Sequence, residues 1–189
     1  MTDDVVNYGP LAMLVGEWYG DRGMDIAPEP DDVEKSPYYE TITFEEAGDV
    51  TNAEQQVLAI VRYHQVVSRK SNDKVFHDQI GYWMWDAATN TVMQSLVIPR
   101  AVAVVSTGTA SEHNGEVTLS VKTVNEDGVN AIAESVFMGQ KARTTAFSLE
   151  MKVSKDQLSY NQSTMLDIYG KKQFDHTDRN KLTRVVELD

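Results

Sequence analysis

The sequence predicts an all-β fold: a single antiparallel up-and-down β-barrel of about ten strands, with a short N-terminal helix plugging one end. Three observations carry that expectation. Most of the 189 residues alternate apolar and polar with a period of two, and little of the chain shows the helical period of 3.6. Turn residues separate the alternating runs by spacers too short for the crossovers that parallel strands need. Closure into a barrel also removes the edges that a long antiparallel sheet must otherwise protect.

The elements follow in order. NYGPLAMLV reads as the helix, with Pro10 where a first-turn proline belongs. DRGMDIAPEPDDVEKSP, residues 21–37, is rich in prolines and acids and reads as a loop or lid at the cavity mouth. VLAIVRYHQVV crowds β-branched and aromatic residues as strands do. VFHDQIGYWMWD sets His77, Gln79, Trp83 and Trp85 on one side and Phe76, Ile80, Tyr82 and Met84 on the other. GEVTLSVKTV and TAFSLEMKV alternate cleanly, wet on one face and apolar on the other. In NQSTMLDIY, Gln162, Thr164, Leu166 and Ile168 share a face that mixes polar and apolar residues. Such faces suit a partly polar cavity, although crowded aromatics suit a packed wall equally well. Turns are expected at Glu46-Ala47-Gly48-Asp49, Ser71-Asn72-Asp73, Ala87 to Asn90, His113-Asn114-Gly115, Glu126-Asp127-Gly128 and Lys155-Asp156. No linker, repeat or low-complexity stretch divides the chain, so residues 1–189 read as one domain.

Composition narrows the chemistry. There is no cysteine, which excludes disulfides, thiolate metal sites and cysteine nucleophiles. The 17 Lys and Arg against 29 Asp and Glu leave a net charge of −12, which repels phosphate backbones and anionic lipid. Neither a nucleic acid nor a membrane is therefore an expected partner. No apolar run approaches the roughly 18 residues of a membrane helix, and MTDDVVNYG does not read as a signal peptide, so a cytoplasmic location is expected. Gly-x-Ser-x-Gly, phosphate-binding glycine loops and HExxH are all missing, so chemistry here would belong to a bound cofactor. Outward-facing apolar residues leave room for a homodimer surface.

The C-terminal stretch QFDHTDRNKLTRVV holds the candidate site. Thr177, Arg179, Lys181 and Thr183 make a solvent-facing set, which turns Phe174, His176, Asp178, Asn180 and Leu182 inward. His176 and Asp178 share that face, but two ligands are too few for a metal site by themselves. His64 and His77 flank the Ser71-Asn72-Asp73 turn and read as cross-strand neighbours, with His64 on the outside; His113 lies in an exposed turn.

Gly16-Glu17-Trp18 at the start of the first strand and Arg184 in the last resemble the closure signature of lipocalin and fatty-acid-binding-like barrels. There the arginine lies over the tryptophan in a cation–π contact. LVGEWYG, PYYETITFEEAG, the strand through Tyr63 and His64, FHDQIGYW, the strand ending Ile98-Pro99, DQLSY and LTR, taken in order, resemble the nitrobindin family of haem-binding barrels. The resemblance implies a ferric haem b in the barrel, with His176 as its axial metal ligand and His77 beside it. It also implies reaction of the iron with nitric oxide or peroxynitrite, the latter isomerised to nitrate. This sequence departs from the family pattern at the ligand. Leu182 lies one residue too far from His176, so strict alignment puts Thr177 in the ligand position, and KKQFDHTD replaces a proline-rich approach. Two functions stay open: a haem barrel acting on nitrogen oxides, or a haem-free barrel for an apolar or fatty-acid-like small molecule that has lost its axial histidine. A filled, purely structural barrel is the third.

Overall fold

The computed structural model describes residues 5–124 and 131–186. A 3-10 helix, Gly9–Leu14, precedes β1 (Gly16–Pro28), β2 (Val33–Asn52), β3 (Gln56–Arg69), β4 (Val75–Asp86), β5 (Thr91–Ile98), β6 (Val102–His113) and β7 (Glu116–Lys122). The short β8 (Ile132–Glu134) and helix α1 (Val136–Lys141) come next, then β9 (Ala142–Val153), β10 (Gln157–Ile168) and β11 (Lys171–Arg184). Apart from β8, successive strands pair antiparallel, β7 pairs with β9, and β1 with β11 closes the ring. The result is the expected closed barrel of ten strands, with the short β8 paired to the start of β6, ahead of the stretch that β7 takes.

The N-terminal 3-10 helix caps one end. Leu11 and Leu14 project from it, fully buried, into a core with Trp18, Phe44, Trp83 and Leu119. Closure occurs where the terminal strands meet: Arg184 pairs with Trp18 across β1 and β11, its guanidinium 4.1 Å from the ring centroid. The same guanidinium donates to the carbonyls of Met13, Val15 and Lys155. One arginine thus ties the helix, the first strand and the β9–β10 turn together.

Residues 21–37 are not a loop. They form the second half of β1 and the start of β2, joined by a tight connection around Glu29 to Asp32. Pro28 is the last residue of β1, where a missing donor is tolerated, and Pro37 of β2 pairs with Met24 just past the β1 bulge. The expected turn at Glu46 to Asp49 is likewise a bulge inside β2, with Gly48 at φ 76° and its N–H donated to the Tyr8 hydroxyl. The chain actually reverses at Ala53 and Glu54, both at positive φ. His64 pairs with Ile80 and His77 with Val67, so the two histidines are not neighbours. His64 stays outside against Asp78, as expected of it. The Glu126-Asp127-Gly128 turn lies outside the described residues.

Gly81, in the HDQIGYW stretch, is buried where β4 and β5 approach most closely. A Cβ there would lie 2.0 Å from the Ser95 carbonyl oxygen, a backbone atom with no room to yield. Gly81→Ala is therefore expected to lower stability by about 1–3 kcal/mol, as overpacking does. A shift in the urea midpoint at unchanged slope checks it, and a midpoint equal to wild type would refute it.

Candidate functional site

The barrel holds a cavity of about 270 Å³, largely walled by apolar side chains such as Leu96, Val104, Phe147 and Leu166. Gln162, Thr164, Leu166 and Ile168 all line it, as the mixed face of β10 suggests. Met138 of α1 reaches it as well. The sequence reading missed this helix, which begins at Ser135, whose hydroxyl accepts from the Met138 N–H at 3.3 Å.

β11 runs through this wall without interruption. Phe174, His176, Asp178, Asn180 and Leu182 pair in unbroken register with Leu166, Thr164, Gln162, Tyr160 and Leu158 of β10. His176 and Asp178 line the cavity, and Asn180 and Leu182 are buried below them. The inward alternation thus holds with no bulge between His176 and Leu182.

Asp25 completes the cluster, and alternation alone would have sent it outward. A bulge at Asp21 and Arg22 shifts β1 against both neighbours between Gly20 and Gly23, reversing its phase. Gly23, Asp25 and Ala27 therefore face inward in place of Arg22, Met24 and Ile26. Gly23 leaves space for the Tyr38 ring, which a Cβ would meet at 2.1 Å. A second bulge, opposite Ser68 in β4, brings Phe76 to the cavity beside His77, although strict alternation puts it outside.

Asp25 and Asp178 are direct cross-strand partners. His176 joins them: its Nε2 lies 2.6 Å from Asp25 Oδ1 and 3.6 Å from Asp178 Oδ2. Burial opposes the charge on this imidazole, but the Asp25 hydrogen bond and the charges of Asp178 and Asp25 outweigh it and hold its pKa above the ordinary value. Asp178 is shifted upward by burial and by the neighbouring carboxylates Asp25 and Glu40, against the pull of His176.

His77 sits in a different environment within the same cavity. Its Nε2 meets Gln79 Oε1 at 3.2 Å, while Gln79 Nε2 donates to the Tyr63 hydroxyl at 2.7 Å. That orientation of the amide makes Nε2 the protonated nitrogen and leaves Nδ1 with its lone pair. Burial lowers its pKa and favours the neutral imidazole, the opposite of the shift at His176.

Below the cavity lies a second polar group. Glu40 is buried, with Tyr160 and Asn180 donating to Oε1 at 2.9 and 2.7 Å and Gln65 donating to Oε2 at 2.6 Å. The Tyr160 and Tyr38 hydroxyls are 2.7 Å apart. Burial pushes the Glu40 pKa up to about 7 despite the three hydrogen bonds that oppose it.

Among the described residues, no helix is long and apolar enough to cross a membrane. No curated protein matches the chain. Among solved structures, Rv2717c from M. tuberculosis shares the fold, with a TM-score of 0.69 at 20% identity over 93% of this chain and 95% of that one. The family described as the THAP4-like, heme-binding beta-barrel domain matches residues 7–184. The architecture, the resemblance read from the sequence and this match agree: the chain is a small-ligand-binding barrel that belongs to the THAP4-like, haem-binding β-barrel family.

Proposed function

We propose that this barrel binds a compact small molecule with an apolar body, whose polar head meets the Asp25–His176–Asp178 cluster, and that it does so without haem on His176. The observation that carries the reading is the cluster itself. An ion-paired histidine and two carboxylates stand together on the wall of an otherwise mostly apolar cavity, the combination that fixes a ligand's orientation by a few polar groups.

Haem has to be tested against these residues. An axial histidine offers iron a free nitrogen lone pair. In this chain the His176 Nε2 is held by a buried carboxylate at 2.6 Å, with a second carboxylate at 3.6 Å. Freeing it would strand Asp25, which is 3% exposed, without its partner, at a cost of about 3–5 kcal/mol. The cavity of about 270 Å³ also falls just below the roughly 300–1,000 Å³ of pockets for drug-sized ligands. The residues present do not fit a haem ligated by His176 Nε2.

A second reading, ferric haem acting on nitric oxide or peroxynitrite, is favoured by the family match and by the neutral imidazole of His77 in the same cavity. One experiment separates the two. Wild type, His176→Ala and His77→Ala are titrated with hemin, followed through the Soret band, and in parallel with the small neutral naphthalene dye Prodan. The expected result is no saturation at one haem per chain that depends on His176. Prodan should bind at one per chain, and Leu166→Trp, which fills the cavity, should weaken it at least tenfold. Saturation with hemin at one per chain, abolished by His176→Ala, would overturn the first reading in favour of the second.

A further inference from the structure

We propose that Asp25, His176 and Asp178 form a mononuclear site for a first-row divalent metal ion, with its open face turned into the cavity. The inference deepens the reading above by naming what the ligand's polar head meets, though metal binding itself can be measured without that ligand.

The geometry comes first. One ligand atom from each residue lies within 4.8 Å of the other two. Metal bonds of about 2.1 Å set neighbouring donors roughly 3.0–3.4 Å apart. The observed separations of 2.6 Å to Asp25 and 3.6 Å to Asp178 bracket that range, so movements of a few tenths of an ångström close the site. Both strands are held in paired register on either side of the cluster, Ile26 with Thr177 and Met24 with Arg179, so the donors sit on rigid scaffold.

The charge pattern is the second argument. Asp25 and Asp178 are like charges placed directly opposite each other on the inner face of an antiparallel pair, an arrangement that costs stability by itself. Nearby Glu40 adds a third carboxyl. The two lining arginines do not answer this demand. Arg69 lies over Phe76 at 4.3 Å and pairs with Glu34, and Arg100 donates to the Phe76 carbonyl. Gln162 donates to Asp178 at 3.5 Å but carries no charge; among the described residues His176 is the cationic group between the two aspartates, and a divalent ion can replace its proton and neutralise both carboxylates at once.

The donor set then indicates the class of ion. One imidazole and two carboxylates combine the preferences of Zn²⁺ and Fe²⁺ with those of Mn²⁺. Three protein ligands with the remaining positions facing a cavity is the pattern of a site that takes an exogenous ligand, whereas a purely structural site is closed. The bulge at Asp21 and Arg22 makes the site, since without it Asp25 would face solvent.

The test uses the full chain, stripped with a chelator and desalted, then titrated with Zn²⁺ and with Mn²⁺ by calorimetry. One ion per chain is expected, with affinity reduced at least tenfold in both Asp178→Asn and His176→Gln. His64→Ala, which removes an exposed histidine, should leave binding unchanged. Pulsed EPR of Mn²⁺-loaded wild type supplies a readout that needs no variant to fold: coupling to a single imidazole nitrogen. Binding of neither ion, or binding that all three variants retain with no nitrogen coupling, would overturn the proposal. If metal binding fails while Prodan still binds, only the metal assignment falls. If hemin saturates the barrel through His176, both readings fall.

Discussion

Replacing Trp18 with alanine is expected to lower the free energy of unfolding by about 3–5 kcal/mol, the range for removing a large aromatic from a core. Trp18 is fully buried and sits at the seam where the barrel closes. Its Nε1 donates to the Leu14 carbonyl at 2.7 Å, at the end of the capping helix. Truncation therefore opens a cavity, leaves that carbonyl without its donor, and removes the ring beneath Arg184. With total stabilities of about 5–15 kcal/mol for natural domains, this one change takes a large share. Arg184→Ala should cost less alone, and less still in the Trp18→Ala background, because the two share one contact. A double-mutant cycle in urea gives that coupling, expected at about 0.5–2 kcal/mol. Strict additivity would mean that the guanidinium works only through its three carbonyl partners.

The pairing of Trp18 with Arg184 is legible in the sequence through its resemblance to the closure signature of lipocalin and fatty-acid-binding-like barrels. The inner face of β11 is legible for a similar reason. His176, Asp178, Asn180 and Leu182 alternate with charged and hydroxyl residues, and the irregularity of β11 at Lys172 and Gln173 lies before Phe174, so it does not upset the count. Asp25 is hidden by the opposite circumstance. A bulge at the exposed Asp21 and Arg22 puts one extra residue in β1 and reverses its phase, and period-two reasoning carries no information across such a bulge. The acids and prolines of residues 21–37 make the bulged strands resemble a loop. Phe76 is misplaced by the same physics in β4. The Glu40 network is within reach of the sequence: Glu40 lies in phase with Tyr38, Ile42 and Phe44, and a carboxylate on an apolar face announces buried partners. Those partners, Gln65, Tyr160 and Asn180, come from three other strands, so only the closed barrel identifies them.

Glu40 carries the largest expected pH effect. Its folded pKa of about 7 lies above the ordinary 4.5, mainly because burial disfavours the carboxylate. Between about pH 4.5 and 7 the native chain holds a proton that the unfolded chain has released, so stability falls as pH rises through that window. The contribution is complete below the unfolded pKa and gone above the folded one, a span of about 3 kcal/mol. Glu40→Gln removes the ionisation while keeping the shape. Tyr160 and Asn180 can still donate to the amide oxygen, and the Gln65 amide can turn to accept from the new NH₂. The variant should therefore match wild type within about 1 kcal/mol near pH 4.5 and exceed it by about 2–3 kcal/mol at pH 8. Urea unfolding of both chains across that range measures the difference, in which the titration of the His176 cluster largely cancels. Parallel curves would show that Glu40 is already ionised in the folded barrel at neutral pH. The outcome reaches the cavity too, because Gln65 and Tyr160, which line it, donate to this carboxyl, and the Tyr38 hydroxyl in the same wall meets that of Tyr160. A neutral Glu40 leaves the Asp25–His176–Asp178 cluster to set the charge that an incoming ligand meets.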